Sequence, residues 1–190
     1  GHRGVVVDVT KANDADRNTS QDAHHDKLTG LPNKLGFSER LHESLLSLAS
    51  EKRPFALLMI GIDGLESVPQ SVEVDGRERL LQEISGRLGK VVHGADFVSR
   101  RSADEFLVLC PGQAGEVSNI GHVQFCAQRI IEALELPIDC GVYTIHTKVS
   151  IGFALPQALG DQDAVPIAAA ADAYQQALTA RVLRVFIYSF

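Results

Sequence analysis

The sequence has no C-x-x-C pair, no internal repeat, no surplus of positive charge, and no apolar run near the roughly 18 residues that span a bilayer. Each absence excludes something. Only three cysteines occur, Cys110, Cys126 and Cys140, and two lie inside apolar stretches. An odd number without paired spacing argues against a disulfide framework and for buried, reduced thiols. No transmembrane helix is expected, and no signal-peptide pattern opens the chain. The net charge of −6 argues against nonspecific binding to nucleic acid or to an anionic membrane, because both attract clustered positive charge. A cytoplasmic protein without direct membrane contact is the expectation. Gly1-His2 reads as an expression scar or the edge of an excised fragment.

What is present suits one domain and a short appendage. The 190 residues are 45% hydrophobic and 22% charged, ordinary for a globular protein. Residues 4–10 read as a lone strand, and 11–26 as a polar linker or frayed helix with almost no apolar face. The compact domain starts near Asp26, so the division is 1–25 and 26–190. Phe37, Leu41, Leu45 and Leu48 recur at helical spacing and predict a helix over 36–51. Phe55 to Ile60 is continuously apolar, as in a strand covered on both faces. Residues 61–75 read as an irregular loop. Leu80, Leu81, Ile84, Leu88 and Val91 predict a helix over 76–92. Strands at 96–100 and 106–110 are close enough to form a hairpin. A loop at 111–118 precedes a third helix marked by Val123, Ala127, Ile130, Ile131 and Leu134. Residues 141–154 are rich in strand formers, 163–180 predict a last helix, and 182–188 a closing strand. Alternating helices and strands with one hairpin imply an α/β fold, a central mixed β-sheet flanked by helices.

Three stretches carry a resemblance. The first is Asp26-Lys27-Leu28-Thr29-Gly30-Leu31-Pro32-Asn33, punctuated as a turn. The second is Ser102-Ala103-Asp104-Glu105-Phe106 on the expected hairpin turn, and the third is Val149-Ser150-Ile151-Gly152-Phe153-Ala154. Together, in order and spacing, they resemble the GGDEF family of diguanylate cyclases over residues 26–190. The resemblance implies the nucleotidyl cyclase-like fold. The opening strand, ending in Asp8-Val9-Thr10, and its linker are similar to the end of a PAS sensor domain.

Family members condense two GTP molecules into cyclic di-GMP. That chemistry needs magnesium, a hard ion that takes carboxylate and phosphate oxygens. The resemblance implies metal-binding acids at the end of the first core strand and on the signature turn. Here Gly61 replaces one of those acids, while Asp63, Asp104 and Glu105 remain. Ser102 and Ala103 replace the glycine pair that lets backbone approach the nucleotide. Of two guanine contacts implied by the resemblance, one position carries Pro69, with neither an amide side chain nor a backbone N–H, and the other carries Glu78, a longer carboxylate than the family's Asp. No lysine follows Lys148, and Arg181 and Arg184 fall out of register with the family's phosphate-binding cations. The family's inhibitory R-x-x-D reads His93-Gly94-Ala95-Asp96 here, and histidine lacks arginine's bidentate fork.

The damage lies at several independent places, and loss of each such group commonly costs orders of magnitude in rate. The expectation is a catalytically inactive, degenerate domain with no catalytic residue, no bound metal and no cofactor. Its vestigial signature is Ser102, Ala103, Asp104, Glu105 and Phe106, and its inhibitory site, His93 and Asp96, is degenerate. Such a domain is expected to regulate neighbouring PAS and EAL domains of a parent protein, to dimerise, or to bind a protein partner. The alternatives are a GTP-binding sensor and a weak cyclase using magnesium on Asp63, Asp104 and Glu105. His24-His25 is not expected to bind metal without further ligands.

Overall fold

The computed structural model describes residues 23–63, 74–92, 94–113, 120–139, 144–155 and 186–189. The expected strand at 4–10, most of the linker and the expected helix at 163–180 lie outside these residues. The chain runs α1 (Lys34–Glu51), β1 (Phe55–Asp63), α2 (Val74–Val91), β2 (Phe97–Arg100), β3 (Glu105–Pro111), α3 (Ile120–Leu134), β4 (Ile138–Asp139), β5 (Thr144–Ile145), β6 (Lys148–Leu155) and β7 (Phe186–Ser189). Five strands form one sheet in the order β2-β3-β1-β6-β7, and β4 and β5 form a separate two-stranded ribbon. Among the described strands only β6 and β7 pair in parallel, so the sheet is mixed as expected.

β1 is the centre of the molecule. It pairs with β3 on one side and with β6 on the other, and its first eight residues are all buried. Side chains alternate across a strand, and here both sets are apolar. Ala56, Leu58, Ile60 and Ile62 pack with α2 and α3, while Phe55, Leu57 and Met59 pack with α1. The strand is therefore covered on both faces, as its unbroken apolar run implies. It is longer than the sequence suggests. Residues 61–63 continue it, because Gly61, Ile62 and Asp63 pair with Ser150, Val149 and Lys148 of β6. The irregular loop expected over 61–75 is corrected at both ends, since α2 already begins at Val74.

α1 is fixed at its start by Asn33. The Asn33 side-chain oxygen accepts from the N–H groups of Leu35 (2.9 Å) and Gly36 (3.2 Å). Its amide donates backwards to the carbonyls of Ala23 (2.8 Å) and His25 (3.3 Å). One residue thus caps the helix and ties down the incoming chain. At the other end of the domain, Arg87 of α2 donates to the carbonyls of Ala133, Leu136 and Pro137. These close the C-terminus of α3, where carbonyls lack helical partners. Among the described residues, no helix is long and apolar enough to cross a membrane.

Candidate functional site

The turn between β2 and β3, residues 101–104, sits at the end of β1. Gly61 stands opposite Glu105 on β3 and opposite Ser150 on β6. The Ile62 N–H donates to the Asp104 carbonyl at 2.9 Å, which locks the turn onto the strand. By strand alternation, Gly61, Asp63, Glu105 and Ser150 share the sheet face that carries α1. A carboxylate at position 61 would therefore stand beside Glu105, at the roughly 5 Å spacing of directly paired residues. Glycine leaves that place without an oxygen.

The surviving acids are engaged by the protein. Asp63 Oδ2 accepts from the Ser150 hydroxyl at 2.9 Å. Glu105 Oε2 takes an ion pair from Arg101 at 2.8 Å, and the Ser102 hydroxyl lies 3.3 Å from the same oxygen. That hydroxyl also lies 3.1 Å from Asp104 Oδ1. Ser102, one of the two residues in place of the glycine pair, thus bridges the two signature acids. Among the described residues these acids do not gather into a three-ligand group. Phe106 is fully buried and belongs to the core, so it serves the fold.

The opening motif packs against the same turn. Asp26 Oδ1 accepts from the Thr29 N–H (2.9 Å), the Thr29 hydroxyl (2.7 Å) and Arg100 Nη1 (2.9 Å). Gly30 adopts φ +71°, a left-handed conformation that glycine takes without strain. Arg100 continues from Asp26 to the carbonyls of Ser102 (2.9 Å) and Ala103 (3.5 Å). Burial works against a charged Asp26, but the hydrogen bonds from Thr29 and Arg100 outweigh it and hold the carboxyl below its usual pKa. An open cleft of about 720 Å³ lies between this motif and the turn, lined by Asn33, Lys34, Ser38, Arg101, Ser102 and Ala103 among others. Ser102 and Ala103 put side chains on its wall.

The other expected positions are scattered. Glu78 is exposed on α2. Pro69, His93, Arg181 and Arg184 lie outside the described residues. Asp96 immediately precedes β2, and its carboxylate, only 7% exposed, receives His122 Nε2 at 3.0 Å from each oxygen. Neither His122 nor the Asp26–Arg100 tie is singled out by the sequence. His24 lies 3.0 Å from Glu39, as a surface pair.

The mixed sheet with helices on both faces, and a β2–β3 hairpin whose turn abuts the central strand, define a nucleotidyl cyclase-like fold. The chain belongs to the GGDEF family: residues 23–181 match the family described as "Diguanylate cyclase, GGDEF domain". It is 28% identical over 141 residues to the bifunctional diguanylate cyclase/cyclic di-GMP phosphodiesterase MucR of Pseudomonas aeruginosa, covering 74% of this chain and 20% of that protein. It is 31% identical over 130 residues to the probable diguanylate cyclase DgcE of Escherichia coli, covering 68% of this chain and 11% of that protein. The chain thus spans a fifth or less of these relatives. Among solved structures, the GGDEF domain of TpbB from Pseudomonas aeruginosa superposes with a TM-score of 0.76 at 27% identity, over 87% of this chain and 95% of that one. The coiled coil and GGDEF domain of DgcB from Caulobacter crescentus, in complex with c-di-GMP, gives 0.82 at 18% identity, over 95% and 93%. This second likeness concerns the fold alone.

Proposed function

We propose that this GGDEF domain is catalytically silent and works as a regulatory or protein-interaction module in cyclic di-GMP signalling. The observation that carries this reading is the end of β1. Gly61 supplies no carboxylate there, and Asp63, Asp104 and Glu105 are each held by Ser150, Ser102 or Arg101. A metal would have to displace an ion pair and two hydrogen bonds and would still lack one ligand. The side chains of Ser102 and Ala103 further narrow the approach of a triphosphate. The working context we propose is a larger cytoplasmic protein with a PAS domain upstream and an EAL domain downstream. MucR, whose name joins the cyclase and phosphodiesterase activities, supports that arrangement. The domain would act on those neighbours, on a second copy or on a protein partner, without contacting nucleic acid or membrane.

The test pairs turnover with binding. The chain is incubated with GTP and magnesium, cyclic di-GMP is quantified, and calorimetry is run with GTP and with cyclic di-GMP. The expected outcome is no product above background and no heat from either nucleotide. Cyclic di-GMP formation would overturn the proposal. GTP binding without product would replace it with a GTP sensor.

A further inference from the structure

A second group of chemically active side chains stands away from the signature turn. The β2–β3 register pairs Phe97 with Leu109, which carries Asp96 opposite Cys110. His122, in the first turns of α3, reaches over both. One ligand atom from each of Asp96, Cys110 and His122 lies within 4.8 Å of the others. Cys126 follows His122 by four residues on α3, hence on the same face of the helix. It is buried and is the hydrogen-bonding partner of Cys110. Neither cysteine is in a disulfide. The Cys110 thiol and the Asp96 carboxylate are shielded from water, whereas the His122 ring is 48% exposed and leaves an entry path.

We propose that Asp96, Cys110, His122 and Cys126 form a tetrahedral zinc site. Two thiols, an imidazole and a carboxylate make a mixed soft and borderline donor set. That set suits zinc and disfavours magnesium or calcium, which take oxygen ligands. Bond lengths of about 2.0–2.3 Å place neighbouring ligand atoms of a tetrahedral site roughly 3.3–3.8 Å apart. Asp96 and His122 already stand 3.0 Å apart, and the separations among the three ligand atoms, none above 4.8 Å, exceed the tetrahedral spacing by at most about 1.5 Å. The four residues come from three places in the chain: the start of β2, the end of β3 and one face of α3. A bound ion would fasten α3 to the β2–β3 hairpin. The inference is independent of whether the signature turn is silent.

The test is metal binding by the 190-residue chain. Zinc is titrated in competition with a chromophoric chelator, and cobalt(II) serves as the spectroscopic probe. The expected result is one equivalent of metal, with tetrahedral ligand-field bands and a near-ultraviolet thiolate-to-cobalt band. His122→Ala, at an exposed position, should weaken zinc binding at least ten-fold. Cys126→Ser should diminish the thiolate band. Absence of stoichiometric binding, a cobalt spectrum without thiolate character, or zinc affinity unchanged in His122→Ala would each overturn the proposal.

Discussion

Asp26 is the residue on which two of the shared motifs meet. It accepts hydrogen bonds from Thr29 within its own turn and from Arg100 beside the signature turn. Its conservative replacement, Asp26→Asn, keeps the shape and loses the charge, and should cost roughly 1–2 kcal/mol at neutral pH. The pH dependence has a definite sign. A carboxyl whose pKa is lower in the folded than in the unfolded chain stabilises the fold fully above the unfolded value, about 3.9. That contribution shrinks as pH falls below this value and is gone beneath the depressed native pKa. Urea denaturation of both proteins from pH 7 to pH 2 checks it. The gap between their midpoints should hold steady down to about pH 4 and narrow below. A gap that stayed constant down to pH 2 would show that Asp26 acts through packing alone.

Among the elements, α1 and α2 make opposite demands on their glycines. A Cβ added at Gly36 in α1 would meet the His24 carbonyl oxygen at 2.9 Å, a backbone atom held by the Asn33 cap. A Cβ added at Gly86 in α2 would meet nothing within 4 Å. Gly36→Ala should therefore destabilise by about 1–3 kcal/mol, through forced movement of the incoming chain. Gly86→Ala should stabilise by about 0.5–1 kcal/mol, through helix propensity. Thermal denaturation of the two variants should show shifts of opposite sign. Both helices were legible as apolar stripes, Phe37-Leu41-Leu45-Leu48 and Leu80-Leu81-Ile84-Leu88, because each packs one face on the sheet. The end of β1 was not legible in the local pattern, although the family resemblance places Gly61 and Asp63 at a strand end. Gly61 and Asp63 read locally as loop residues, and only pairing on both sides makes them strand. The damage at the signature was visible as substitutions, but the partners of its acids were not, since Ser150 and Asp63 are 87 residues apart. The second cluster was equally hidden, although His122 and Cys126 share a helix-face spacing that could have flagged them.

At the scale of the whole molecule, stability should be graded outward from β1. Its residues 55–62 are buried, hydrogen-bonded on both sides and packed on both faces. Hydrogen exchange should find the slowest amides there and faster ones in the two-stranded ribbon, which pairs only two residues a side. Comparable rates in both regions would mean that the domain opens only as one unit. The tie from Asp26 through Arg100 to the carbonyls of Ser102 and Ala103 reaches beyond stability. Its first contact alone, Asp26 to Arg100, spans 74 residues of sequence. The first residues after the expected linker are thus coupled mechanically to the tip of the hairpin. A twist or pull applied upstream would act on that tip through a short, stiff lever. This load path does not depend on turnover, so the fold can transmit force whether or not the signature turn carries chemistry.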